Sequence, residues 1–122
     1  MRQAQADYRH ARNSCSLGDY DWACFAAHQA AEKAVKACFQ KLHAEAWGHT
    51  VSLMLSQLPE AVGVPPALLD RVKVLDKHYI PARYPNGFDR GAPTDLYTRE
   101  EAEAAIAIAG EVIDFCKSVL AR

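Results

Sequence analysis

Residues 19–42 read DYDWACFAAHQAAEKAVKACFQKL, a stretch without glycine or proline and rich in residues that favour helix. A short carboxylate at Asp19 or Asp21 is placed to cap the first turn. Small side chains recur along one side and let neighbouring backbones approach closely; they are Ala23, Ala27, Ala30, Ala34 and Cys38. Larger apolar side chains are predicted to fill the core beside them: Trp22, Phe25, Val35, Phe39 and Leu42. The stretch is predicted to be the most buried helix of an all-helical domain.

Four more helices are predicted around this central helix from hydrophobic spacing and from helix start and stop signals. They span residues 3–16, 51–58, 66–78 and 98–121. Thr50 is predicted to cap the helix that follows it, and Thr98-Arg-Glu-Glu101 is a capping-box pattern. Residues 79–97 are punctuated by proline and glycine and are predicted to be irregular, and loops of this length are often functional. The fold is therefore predicted to be an all-α, up-and-down helical bundle of about five helices.

Composition and charge narrow the class of protein. The 122 residues suffice for one domain, 1–122, and a net charge of −1 provides no general basic field for nucleic acid, so any phosphate-binding surface is local. No apolar run is long enough for a membrane span, and the polar start is unlike a signal peptide, so a cytoplasmic protein without membrane contact is predicted. The four cysteines lack CxxC spacing and are predicted to be small apolar residues; no metal or other cofactor is predicted.

Several segments, in order, resemble the HEPN family of small helical proteins. They are Tyr20–Ala37 in the central helix, Trp47-Gly-His-Thr50, Leu75-Asp-Lys-His-Tyr-Ile-Pro-Ala-Arg-Tyr-Pro85 and the helical tail. The resemblance covers nearly the whole chain and implies the fold more specifically than the function, because one fold hosts several chemistries.

One candidate site is Arg71 with His78 on the predicted fourth helix. Seven positions are nearly two turns, so both side chains point the same way, about 10 Å apart along the axis. Their spacing falls within the ribonuclease motif of many HEPN proteins, where histidine transfers a proton and arginine holds the phosphate. The family motif commonly has a polar residue after the arginine, whereas this chain has Val72, and such a pair also arises by chance. Both interpretations stay open.

A second candidate is the segment that follows His78. Pro81 and Pro85 restrict the backbone around them, so Arg83 is presented beside Tyr84 from a stiffened loop. An arginine fork suits a phosphate and an aromatic face suits a base. The segment resembles that of HEPN proteins linked to nucleotide binding and to partner nucleotidyltransferases. The alternative is that the tyrosines pin the loop to the bundle while Arg83 pairs with an acid.

The central helix carries a third candidate, a polar face with His28, Gln29, Glu32, Lys33 and Lys36. A solvated face is favoured over a metal site, because His28 and Glu32 alone make an incomplete ligand set. Lys33 lies in the segment that best matches the family and joins Lys77 in the predicted nucleotide-binding set. His49 is either a hydrogen-bonding residue at a helix start or a ligand contact, with the structural role favoured.

Three functions follow as hypotheses. The first is a HEPN-type module that binds a nucleotide or phosphate and acts with a nucleotidyltransferase partner. The second is a metal-independent, toxin-like ribonuclease that uses Arg71 and His78 on RNA. The third is an interaction domain of a larger chaperone-like protein. A homodimer is predicted because the last helix has a second apolar flank, at Ile108 and Phe115, beside its core-facing stripe.

Overall fold

The computed structural model describes residues 1–79 and 93–122. These residues form six α-helices and one 3-10 turn. In chain order they are α1 (Arg2–Ser16), α2 (Tyr20–Lys41), α3 (Val51–Ser56), the 3-10 turn Glu60–Val62, α4 (Pro66–Asp76), α5 (Pro93–Leu96) and α6 (Arg99–Leu120). No strand occurs in these residues. The predicted all-α bundle is confirmed, and α3 and α4 each end two residues earlier than expected.

Helix α2 lies at the centre of the bundle, packed against α1 on one side and α6 on the other. Every member of its predicted small-residue seam is fully buried: Ala23, Ala27, Ala30, Ala34 and Cys38. Alanines on the two neighbouring helices are fully buried in the same core, among them Ala11 of α1 and Ala105 and Ala109 of α6. The three long helices therefore approach one another through side chains of one carbon, which leaves little room between their backbones.

Local signals fix the helix ends in part. The predicted capping box is present at the start of α6, where the Thr98 hydroxyl accepts from the Glu101 amide at 3.1 Å and the Glu101 carboxylate accepts from the Thr98 amide at 3.2 Å. Asp19 and Thr50 occupy the predicted N-cap positions of α2 and α3, but neither side chain makes the expected capping hydrogen bond. Gly18 between α1 and α2 has φ +84°, a conformation that other residues rarely adopt.

Three further expectations are corrected by the structure. Trp22 and Leu42 were predicted in the core, but they are 49% and 38% exposed. The side of α2 that faces the core is occupied mainly by small residues, and these two larger side chains lie outside it. His28 and Glu32 were predicted on a solvated face, yet both are buried. The segment predicted to be irregular includes the short helix α5. Among the described residues, no helix is long and apolar enough to cross a membrane.

We expect Ala30→Leu to lower the free energy of unfolding by about 1–3 kcal/mol, because Ala30 is fully buried between closely spaced helices and three added carbons have no space. Ala104→Leu on the exposed side of α6 is the matched control and should change stability by less than about 0.5 kcal/mol. Urea denaturation of both variants measures the difference. Equal stabilities would contradict the close packing of α2.

Candidate functional site

Five side chains from three parts of the chain meet at one place, which we call the His49 cluster: His28, Glu32, Lys36, His49 and Tyr79. The first three follow one another along α2 at four-residue steps, so they lie on one side of the helix. His49 comes from the connection between α2 and α3, and Tyr79 lies three residues beyond the end of α4. The cluster therefore joins segments that are distant in sequence.

His28 is fully buried and ties this connection to α2. Its Nε2 lies 2.7 Å from the backbone carbonyl oxygen of His49, which only accepts, so Nε2 carries the proton and donates. Its Nδ1 lies 3.5 Å from the side-chain nitrogen of Gln29, which donates to it. Burial lowers the pKa of His28 below its ordinary value of 6.5, while the His49 carbonyl and Glu32 oppose that shift. The folded protein thus favours a neutral His28.

Glu32 orients the imidazole of His49. One carboxylate oxygen lies 2.8 Å from His49 Nδ1 and the other accepts from Lys36 Nζ at 3.2 Å. A carboxylate accepts hydrogen bonds, so Nδ1 of His49 carries the proton and Nε2 of the neutral ring keeps its lone pair. The side chain of Glu32 is only 6% exposed, whereas that of His49 is 50% exposed. A buried acid therefore holds an imidazole that a ligand is able to reach.

Aromatic rings form another part of the site. The ring of His49 stacks on Tyr79 with centroids 4.3 Å apart and planes 12° apart. Tyr79 also contacts the rings of His28 at 5.2 Å and Phe25 at 6.0 Å, and Phe25 contacts Trp22 edge-on at 6.1 Å. Stacked aromatic side chains of this kind offer flat faces suited to a nucleobase.

The predicted catalytic pair has separate partners in the structure. Arg71 is exposed, and its Nε donates to Glu111 on α6 at 2.8 Å. His78 is buried, and its Nδ1 lies 3.4 Å from the hydroxyl of Tyr97. Burial lowers the pKa of His78, with Glu101 opposing and His28 and Lys77 adding to the shift. The catalytic role of Arg71 and His78 stays a prediction. In the structure Arg71 is exposed to solvent, whereas His78 is buried.

The predicted nucleotide-binding residues are distributed differently. Lys33 points toward α1 and pairs with Asp7 at 2.6 Å. Lys77 is exposed and makes no ion pair with the described residues. Arg83 and Tyr84 lie outside the described residues. His49 belongs to the cluster, where its ring makes a structural hydrogen bond to Glu32; a ligand contact by its half-exposed side chain stays a prediction.

Sequence reasoning missed that His28, Glu32 and Tyr79 lie in one cluster with His49. The available signal was the apolar surrounding of His28, which has alanines at positions 26, 27, 30 and 31 and therefore has little chance of facing solvent. No group of three or more histidine, cysteine or carboxylate side chains is placed to hold a metal ion in residues 1–79 and 93–122.

A family model and several solved structures are similar to this chain. A model of the HEPN domain matches residues 1–119. The chain is 47% identical to TT1696 from Thermus thermophilus, with a TM-score of 0.94 over 97% of this chain and 93% of the other. It is 39% identical to the HEPN domain protein tm0613 of Thermotoga maritima, with a TM-score of 0.81 over 100% and 97% of the two chains.

A third solved structure is ST0689, described as an archaeal HEPN homologue. It is 38% identical, with a TM-score of 0.80 over 96% of this chain and 91% of the other. No curated protein matches the chain closely enough to count as a relative.

We expect stability to fall as the pH is lowered below about 6.5, because His28 and His78 are buried and neutral in the folded protein. The pKa of each lies below 6.5 in the folded protein, so the unfolded chain binds more protons in the window between the folded value and 6.5. Their contribution is complete above pH 6.5 and is lost as the pH falls through the folded values.

Denaturation at several pH values measures this dependence. His78→Asn should flatten the profile below about pH 6.5, whatever its effect on stability at neutral pH, because one buried titrating group is gone. His10→Asn, at an exposed histidine, is the control and should leave the profile unchanged. A profile of His78→Asn as steep as that of the wild type would contradict a buried, neutral His78.

Proposed function

Since the chain belongs to the HEPN domain family, we propose that it is a nucleotide-binding module whose ligand binds at the His49 cluster. One observation carries the proposal: a half-exposed imidazole is stacked on Tyr79 and fixed through Nδ1 by a buried carboxylate. The ring is held without a ligand, so little side-chain entropy is lost when a base stacks on it. The Nε2 lone pair is available to accept a hydrogen bond from an amino or imino group of the base.

Phosphate groups of the ligand are assigned to Lys77 and Arg83. Lys77 is exposed, lies two residues before the stacking Tyr79, and has no carboxylate partner in the described part of the chain. Arg83 follows four residues after Tyr79 in the segment that resembles nucleotide-binding HEPN proteins. Lys33 and Lys36 already pair with Asp7 and Glu32, which makes them weaker candidates.

A metal-independent ribonuclease is the second candidate, and the orientation of His49 favours it. An imidazole that is held through Nδ1 by a carboxylate and whose side chain is half exposed is suited to act through Nε2 as a base for the 2′-hydroxyl of RNA. The hydroxyl loses its proton to Nε2 and attacks the neighbouring phosphorus; the 5′-oxygen then leaves and takes a proton from the imidazolium. In this form of the hypothesis His49 takes the proton-transfer role that the sequence motif assigned to His78.

Partners and compartment are proposed on separate grounds. A nucleotidyltransferase partner is implied by the family resemblance. The homodimer was predicted from a second apolar flank on α6, but Ile108 is buried in the chain's own core, so the half-buried Phe115 alone supports a further contact. A reducing, cytoplasmic environment is supported by the four cysteines, which are all free thiols.

Titration with adenosine, AMP and ATP tests the binding module. A ligand at about 100 times its Kd should stabilise the native state by about 2.7 kcal/mol, which thermal unfolding detects as a rise in Tm. Lys77→Ala and Arg83→Ala should each weaken AMP binding about fivefold and leave adenosine binding unchanged, because only the nucleotide carries a phosphate. Lys73→Ala, one turn earlier on α4, is the matched control. Absence of binding by all three ligands would contradict the proposal and favour the interaction domain.

Cleavage of a single-stranded RNA in chelator tests the ribonuclease. If His49 is the base, His49→Ala should lower the cleavage rate at least about 100-fold, a typical contribution of acid–base catalysis, while His78→Ala retains activity. Loss of activity in folded His78→Ala alone would favour the motif pair instead. No cleavage by the wild type would remove the ribonuclease hypothesis.

A further inference from the structure

Two cysteines meet where the central helix packs against the last helix. Cys38 lies three residues before the end of α2, and Cys116 lies four residues before the end of α6. Both side chains are fully buried. The Cys38 Sγ donates to the backbone carbonyl oxygen of Cys116 at 3.9 Å, and the Cys116 thiol in turn donates to the Cys38 sulfur. The two thiols are therefore direct neighbours, although they are 78 positions apart in the sequence.

The close packing of these two helices makes a bond between the thiols feasible. A disulfide requires Cα atoms about 4.4–6.8 Å apart, a distance that helices separated by large side chains do not reach. Cys38 is the last member of the small-residue seam of α2, and the fully buried Ala105 and Ala109 lie on α6 in the same core. Formation of the bond then needs rotation of two side chains and little movement of the backbone.

The surroundings make Cys38 the more reactive of the two thiols. The hydrogen bond from Cys116 lowers the pKa of Cys38 below its ordinary value of 9.0, and the positive charges of Arg122, Lys41 and the N-terminus add to this shift, while burial opposes it. The same hydrogen bond and burial raise the pKa of Cys116. Because the thiolate is the form that attacks a peroxide, Cys38 reacts first and Cys116 is placed to react with the product.

Access to the pair depends on local opening at the ends of α2 and α6. Helix ends open at a lower free energy than the middle of a packed helix. Lys41 helps to close this end of the bundle, because its Nζ donates to the carbonyl oxygens of Leu120 and Arg122 at 2.9 and 2.7 Å. Lys41 is exposed, so these hydrogen bonds compete with water and their transient loss admits a small oxidant.

We propose that Cys38 and Cys116 are a redox pair that hydrogen peroxide converts into a disulfide joining α2 to α6. The Cys38 thiolate attacks one peroxide oxygen, the O–O bond breaks, and the departing hydroxide takes a proton to become water, which leaves Cys38 as a sulfenic acid. The Cys116 sulfur then attacks the sulfenic sulfur, whose hydroxyl leaves with the Cys116 proton as a second water. Two thiols are oxidised and one peroxide is reduced.

Peptide mapping after treatment with hydrogen peroxide tests the pair. The protein carries Cys15→Ala, so that the half-buried Cys15 forms no bond between chains. Trypsin releases Cys38 in peptide 37–41 and Cys116 in peptide 100–117, each with a single cysteine. The chain should lose about 2 Da, and the two peptides should stay joined until dithiothreitol separates them. The Tm should rise by at least about 5 °C, because the bond links residues 78 positions apart in the unfolded chain.

Variants distinguish the thiol that attacks from the one that resolves. In Cys116→Ala, the sulfenic acid of Cys38 should persist and be trapped by dimedone. In Cys38→Ala, labelling of Cys116 should be at least about tenfold slower, because burial still raises its pKa. Cys24→Ala changes another buried thiol of α2 and is the matched control, which should form the disulfide at the unchanged rate. Unfolding curves show whether each variant keeps its fold.

The possible outcomes are distinct. Peptides 37–41 and 100–117 joined in folded protein would support the redox pair. The proposal would be overturned if both cysteines stay reduced, if they are oxidised to sulfinic acid without a bond, or if they join only in urea. Equal dimedone labelling of the two single variants would overturn the assigned order of attack. The inference is independent of the nucleotide site, so a failure of either proposal leaves the other intact.

Discussion

The buried carboxylate of Glu32 is the constraint on which the candidate site depends. Transferring an ionised carboxylate out of water costs several kcal/mol unless charged or hydrogen-bonding partners compensate, and Glu32 has two, His49 and Lys36. The partner at His49 belongs to a connection without regular structure, so satisfying the acid also fixes the course of the backbone between α2 and α3. His28 adds a second link through the His49 carbonyl. Replacing Glu32 or His49 is therefore expected to change the course of the backbone between α2 and α3 as well as the chemistry of the candidate site.

The same packing that forms the core places these polar groups inside it. Alanines on α2 allow α1 and α6 to approach closely, and side chains on the flanks of that seam are covered as the helices close. His28 lies beside Ala27 and becomes fully buried, with its ring nitrogens satisfied by the protein. The larger Trp22 cannot enter such a narrow space and stays half exposed. The buried core and the exposed aromatic surface beside it are thus two consequences of one small-residue seam.

The sequence predicted what local physics determines. The capping box at Thr98, the small-residue seam and the all-α class depend on neighbours a few positions apart, and the structure confirms them. The position of Glu32 was predicted wrongly, because its helical spacing to Lys36 is that of an ordinary surface pair and its burial is decided by a residue 17 positions away. The stack of His49 on Tyr79 joins residues 30 positions apart, and no local pattern encodes it. Short-range rules therefore yield the scaffold, whereas the site arises from long-range contacts.

Differences in solvent access give the histidines different chemical roles. His28 and His78 are buried, and burial lowers the pKa of both, so they act as neutral hydrogen-bonding groups inside the fold. His49 has its proton fixed at Nδ1 and its other nitrogen directed away from the acid, with half of the side chain exposed. A ligand that meets this surface encounters an oriented lone pair and flat rings before it encounters a strong positive field. Because the whole chain has a net charge of −1, the proposed nucleotide site is expected to depend on stacking and hydrogen-bond geometry, with charge supplied locally by Lys77 and Arg83.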